Sequence, residues 1–256
     1  MKQGLFEIIE NRPISSNLVQ FRLGDCWPDV RQIRLKGDCS AIKRPGQFVD
    51  IKLDGHFLRR PLSVCDCEDG VITLVYKVLG SGTEKLSTMQ SGSLDLLTGL
   101  GNGFDPSLSG ERPLLIAGGL GFTPLYFLAK TLIREGKRPS VILGFNSAEE
   151  VIYEREFMTR CAEVMVCTVD GSYGVKGFVT EAMKDRDYSY FYACGPESMY
   201  RPVYDCAKSD GEFSFEARMG CGFGACMGCS CETLYGAKRI CKDGPVLKKG
   251  EIKWQT

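Results

Sequence analysis

Histidine is almost absent from this chain: His56 is the only one in 256 residues. A Ser–His–Asp hydrolase or a His-ligated Rieske cluster needs more imidazole than that. His56 follows the Asp54-Gly55 turn and reads as a surface residue. An excess of one charge is missing too, since Lys plus Arg and Asp plus Glu number 32 each. No long-range field therefore gathers nucleic acid or an anionic membrane. Nor is there an apolar run long enough to cross a bilayer. The longest uncharged stretch, 113–129, is broken by Gly118, Gly119, Gly121 and Pro124 and reads as a buried strand, a turn and a helix. Met1–Glu7 carries neither an apolar segment nor a cleavage site, so a cytoplasmic protein is expected. The 43% hydrophobic and 25% charged contents are those of a soluble globular chain with room for two cores.

Cysteine, by contrast, is plentiful, at 13 residues. An odd total without secretory features points to reduced thiols in most positions. The exception is the tail, where Cys221, Cys226 and Cys229 form Cys-x4-Cys-x2-Cys and Cys241 offers a fourth thiolate. That is the spacing of a plant-type 2Fe–2S site. The surrounding glycines allow a backbone to wrap closely and turn left-handed. Zinc and disulfide readings stay open, although zinc favours two separated Cys-x2-Cys pairs. Cys231 ranks below Cys241 as a ligand, because alternate strand positions point apart.

Residues 1–105 show short alternating runs divided by Pro45-Gly46, Asp54-Gly55 and Asp69-Gly70. This predicts an antiparallel barrel, with strands at Phe6–Ile9, Leu18–Leu23, Gln47–Leu53 and Val71–Lys77 and a short helix at Thr83–Met89. Two pieces look chemical. In Arg59-Arg60-Pro61-Leu62-Ser63, guanidinium groups precede a rigid extended segment. Gly80-Ser81-Gly82-Thr83 opens the helix, where free amides favour phosphate.

After a linker at 105–110, residues 111–210 alternate strands with helices, the pattern of a parallel sheet covered on both faces. Gly118-Gly119-Leu120-Gly121-Phe122-Thr123-Pro124 follows the first strand and allows a dinucleotide to approach a helix N-terminus. Cys194-Gly195-Pro196 ends the last strand, at the edge where such sheets bind ligands. Asn146–Glu150 holds carboxylates with no arginine before Arg155, which favours NAD over NADP. Residues 211–256 are too few to fold alone and must lean on the rest of the chain or on a partner. In them a strand is expected at Glu212–Ala217, and a hairpin with Gly236 in its turn.

The arginine-proline segment and the Gly82-Thr83 pair, in this order, resemble the flavin-binding barrel of the ferredoxin reductase family. That resemblance implies FAD lined by Arg60, Pro61, Leu62 and Ser63, faced by Val75, Tyr76 and Lys77, with Gly82 and Thr83 at its diphosphate. Leu62 stands where the family has an aromatic residue. The Cys-Gly-Pro-x-x-Met segment resembles the family's nicotinamide motif, placing NAD on Gly118, Gly119, Gly121, Thr123 and Pro124 and on Cys194, Gly195 and Pro196. The whole chain, with the tail ending Cys241-x-Asp243-Gly244-Pro245-Val246, resembles the electron-transfer subunits of type B dihydroorotate dehydrogenases. The family implies a 2Fe–2S cluster on Cys221, Cys226, Cys229 and Cys241. It also implies an FMN-containing catalytic partner in a heterotetramer.

The chemistry has its own logic. Nicotinamide exchanges a hydride and an iron–sulfur centre one electron, so a flavin belongs between them. No acid–base pair remains to assign, so no catalytic residue is expected here, and the cysteine loop is expected to face the partner. Two other readings use the same residues: an NAD(P)H reductase subunit serving a ferredoxin, oxygenase or hydrogenase, and a zinc-stapled interaction module.

Overall fold

The computed structural model describes residues 1–14 and 29–254. The strand expected at Leu18–Leu23 lies outside them. Period-two alternation builds the first half. Strands β1 (Lys2–Pro13), β2 (Val30–Lys36), β3 (Phe48–Lys52), β4 (Arg60–Glu68), β5 (Val71–Lys77) and β6 (Ser93–Leu100) close into an antiparallel barrel in the order β1-β2-β5-β4-β3-β6. Along β6 every second side chain is buried, and Leu94 and Leu96 meet Ile33, Leu35, Ile51 and Leu74 inside. Helix α1 (Ser81–Thr88) is tied to the barrel by Asn11, whose Nδ2 donates to Leu86 O at 2.8 Å and Met89 O at 2.9 Å.

The second half forms a seven-stranded sheet. Strands β7 (Pro113–Gly118), β8 (Ser140–Phe145), β9 (Glu163–Thr168), β10 (Val175–Lys176) and β11 (Tyr190–Cys194) run parallel, linked through helices α2 (Phe122–Arg134), α3 (Glu154–Met158) and α4 (Val179–Met183). Helix α5 (Glu197–Cys206) follows β11. Successive strand residues feed opposite faces. Leu115, Val141 and Tyr192 pack under α2 and α3, whereas Leu114, Ile142 and Phe191 pack under α4 and α5. The α2 face also buries Val30, Cys65, Val75 and Phe104, so the barrel docks there.

The tail joins this sheet. Strand β12 (Gly211–Ser214) pairs parallel with β11, and after the hairpin β13 (Ser230–Thr233) and β14 (Gly236–Arg239), strand β15 (Val246–Lys248) returns antiparallel to β12. The strand expected to reach Ala217 stops at Ser214. In the hairpin Thr233 pairs with Gly236, so Leu234 and Tyr235 make the turn and Gly236 opens the second strand. Among the described residues no helix is long and apolar enough to cross a membrane.

Candidate functional site

A cavity of about 840 Å³ lies where the barrel meets the carboxyl ends of the parallel strands. That volume is in the range of cofactor sites. On the barrel side Pro61, Leu62, Ser63, Val75, Tyr76, Lys77 and Thr83 line it. The Tyr76 ring belongs to the barrel core, and its hydroxyl donates to Asn11 Oδ1 at 3.0 Å. Arg60 and Gly82 stand just outside the lining, packed on each other so closely that a Cβ on Gly82 would overlap the guanidinium. Arg59 pairs with Asp95 at 3.0 Å, and Arg60 donates from Nη1 to the Leu58 carbonyl at 2.5 Å. The Thr83 hydroxyl is occupied in capping α1, accepting from Leu79 N at 3.0 Å and Gly80 N at 3.2 Å.

On the sheet side Gly118, Gly119, Gly121, Thr123, Cys194, Gly195 and Pro196 line the cavity, while Pro124 is buried within the first turn of α2. Because β7 and β11 are neighbours, their two terminal turns interlock. A Cβ on Gly118 would stand 2.7 Å from Pro196 Cδ and 2.8 Å from Met199 Sδ, and one on Gly121 would overlap the Cys194 carbonyl. Burial pushes the Cys194 thiol well above its ordinary range, so it stays a neutral thiol. Asn146 and Glu150, after β8, also line the cavity; Asn146 donates to Glu150 from its main-chain nitrogen at 3.1 Å and its amide at 3.0 Å.

The sequence reading missed one wall. Ser214, Phe215, Glu216, Ala217 and Met219 line the cavity as the chain leaves β12. No motif marks them. What brings them there is the parallel pairing of β12 with β11, which delivers both strands to the same edge.

The same segment leads into the cysteine loop. Cys229 and Cys241 are buried, Cys221 is half-buried and Cys226 is exposed. The thiols fall into two contacting pairs, Cys221 with Cys226 and Cys229 with Cys241. Main-chain N–H groups aim at the sulfurs: Ala225 to Cys221 at 3.2 Å, Gly228 to Cys226 at 3.5 Å and Cys241 to Cys229 at 3.4 Å. At Cys221 partial desolvation is outweighed by the N–H groups of Cys226, Phe223 and Ala225 and by the Cys226 thiol, which bring it down to about 6. A thiol held that way is ready to act as a thiolate ligand. Arg239 anchors the loop, donating to Gly224 O at 2.9 Å while paired with Asp243 at 2.9 Å. Two pairs of thiols suit a centre with two metal atoms. Among the described residues no group of three His, Cys, Asp or Glu side chains is gathered around one point. Cys231 is half-buried against the same group of residues.

Comparison with known proteins agrees with this layout. Residues 216–253 match the iron–sulfur cluster binding domain of dihydroorotate dehydrogenase B, and residues 115–205 match the oxidoreductase NAD-binding domain. A solved chain of an NADH-dependent reduced ferredoxin–NADP oxidoreductase superposes with a TM-score of 0.83 at 29% identity, over 98% of this chain and 90% of that one. A ferredoxin–NADP+ reductase from Neisseria gonorrhoeae with bound FAD and NADP shares the fold, with a TM-score of 0.65 at 17% identity, over 80% of this chain and 90% of its own. The dihydroorotate dehydrogenase B (NAD+) electron transfer subunit of Fusobacterium nucleatum is 38% identical over 88% of this chain and 93% of its own length. That of Geobacillus sp. strain WCH70 is 40% identical over 98% of this chain and 99% of its own, and the chain therefore belongs to the family of dihydroorotate dehydrogenase B (NAD+) electron transfer subunits.

Proposed function

We propose that this chain takes electrons from the FMN of a dihydroorotate-oxidising partner subunit and delivers them to NAD+. A 2Fe–2S cluster on Cys221, Cys226, Cys229 and Cys241 would receive them, and FAD in the cavity would pass them on. A bound flavin supplies the exchange between one-electron and hydride transfer. The protein's own part is positional. Arg60 offers a charged fork to the FAD diphosphate, and the interlocked turns at Gly118–Gly121 and Cys194–Pro196 make the nicotinamide floor. Glu150 favours a free ribose hydroxyl over a 2′-phosphate, so NAD+ is the acceptor.

The observation that carries this reading is a shared wall. Phe48, Phe215, Ala217 and Met219 line the cavity and also belong to the apolar group that holds Cys221, Cys229 and Cys241, which supports a cluster close to the flavin. Phe223, Met227, Leu234 and Tyr235 are exposed apolar side chains on the loop and its hairpin. They suit a partner's surface better than water, in an assembly of two such chains on a partner dimer.

The test is anaerobic purification with the partner. Flavin, iron and sulfide should be present, and dihydroorotate should reduce NAD+. The match to the ferredoxin–NADP oxidoreductase chain favours a second reading, an NAD(P)H-linked subunit of another complex. Co-purification with a partner that forms no orotate would establish that reading, and a colourless, zinc-loaded protein would defeat both.

A further inference from the structure

Helix α2 carries one lysine into its buried side. Lys130 is only 7% exposed, and its Nζ donates to Asp66 Oδ2 at 2.6 Å and to Glu68 Oε2 at 2.9 Å, while Arg134 pairs with Glu68 as well. Both carboxylates belong to β4. On an unbroken strand Val64, Asp66 and Glu68 would share one face, and Val64 faces the barrel interior. That register would put two carboxylates among apolar side chains. The strand avoids this with a bulge. Val64 pairs with Leu74 and Asp66 with Thr73, leaving Cys65 as an extra residue. Cys65 is buried under α2, while Cys67 turns back against the barrel interior. The extra residue thus turns Asp66 and Glu68 outward to Lys130.

The two ends of this contact are the two halves of the cavity. The same β4 begins with Arg60, Pro61, Leu62 and Ser63, and the same α2 begins beside Gly121 and Thr123. We propose that Lys130, gripped by the bulged end of β4, is a positioning residue that fixes the flavin strand against the nucleotide helix and so sets the approach of nicotinamide to flavin. Misplacement of reacting groups by about 1 Å can cost on the order of 100-fold in rate, so a tether of this kind acts on the rate more than on binding.

The proposal rests on the flavin–nicotinamide reading of the cavity. The experiment compares the flavin-loaded wild type with Lys130→Met, Lys130→Arg and the double variant Lys130→Met/Asp66→Asn. The double variant removes the more buried of the two carboxylate charges together with its partner, in case Lys130→Met folds poorly. Flavin occupancy is measured first. Anaerobic stopped-flow reduction by NADH then gives the saturating rate, the half-saturating NADH concentration and the long-wavelength charge-transfer absorbance. Both Met variants should lose about 10- to 100-fold in saturating rate per bound flavin and lose the charge-transfer band, with half-saturation near wild type. Lys130→Arg should recover most of the rate. A wild-type rate and band in the Met variants, or a fall no larger than the fall in flavin occupancy, overturns the proposal. A wild type that holds no flavin defeats the reading of the cavity instead.

Discussion

The central sheet and the cysteine loop are held together by opposite means. In the sheet, Leu114, Leu115, Ile116, Phe191, Tyr192 and Ala193 are all at or below 1% exposure, and each alternates between two helix-covered faces. In the loop, Phe223 and Met227 are 45% and 54% exposed, Gly222 and Gly224 have φ of +75° and +91°, and sulfur is what the N–H groups point at. Apolar burial therefore sets the shape of one region, while left-handed glycine turns and N–H groups aimed at sulfur set the shape of the other. The sheet should tolerate loss of the cluster, whereas the loop should not survive loss of the sheet that anchors both of its ends through β12 and β15.

The largest effect should come from Cys226→Ser, which removes the exposed member of one thiol pair. Electron delivery from the partner should vanish and the reduced protein should lose its low-temperature iron–sulfur EPR signal. NADH should still reduce the flavin, because no barrel or sheet residue has changed. Loss of both reactions together would mean that the loop supports the cavity itself, and the contrast between the two regions would be wrong.

Phe213→Ala reverses the roles. Phe213 is fully buried on β12, with ring centroids 5.1 Å from Phe191 and 5.4 Å from Tyr200. Truncating such a ring costs about 3–5 kcal/mol, read as a lowered midpoint in denaturant unfolding. Cluster and flavin should be lost in the same transition, since the loop leaves from this strand. A cluster signal that outlasts the sheet would show that the tail folds independently.

Legibility followed the same division. Strand β5 has the ends that alternation predicts, Val71 to Lys77, and the alternation of strands with helices after residue 111 is present, because each pattern is local. The cysteine spacing was equally readable, since its residues lie close in sequence. What escaped was anything set by a neighbour in space. The cavity wall at Phe215–Met219 depends on which strand lies beside β12. Lys130 looks like an ordinary helix lysine until Asp66 and Glu68, more than sixty residues away, are turned toward it by a bulge that no residue type announces. Leu234 and Tyr235 replaced Gly236 in the hairpin turn for a similar reason: Thr233 Oγ1 donates to Gly236 O at 2.7 Å and accepts from Tyr235 N at 3.2 Å. That side-chain closure can serve where a glycine turn was expected.

The smallest effect sharpens the comparison through pH. Glu212, next to Phe213, is 3% exposed. Burial lifts its carboxyl from an ordinary value near 4.5 to about 7, only partly offset by the Asp105 N–H that donates to it at 3.0 Å. Between those two values the folded protein binds a proton that the unfolded chain has released, so stability falls as pH rises across the window. The contribution is complete below about 4.5 and gone once the pH has risen through about 7. Glu212→Gln removes the group that titrates while keeping an acceptor for Asp105. The variant should match the wild type at pH 5 and exceed it at pH 8 by about 3 kcal/mol at most, at 1.36 kcal/mol per pH unit. Thermal unfolding at the two pH values measures the difference. The EPR signal of the cluster should be the same in both proteins, because the titrating group belongs to the sheet. A variant whose stability keeps the wild-type slope from pH 5 to pH 8 would assign that slope to other groups.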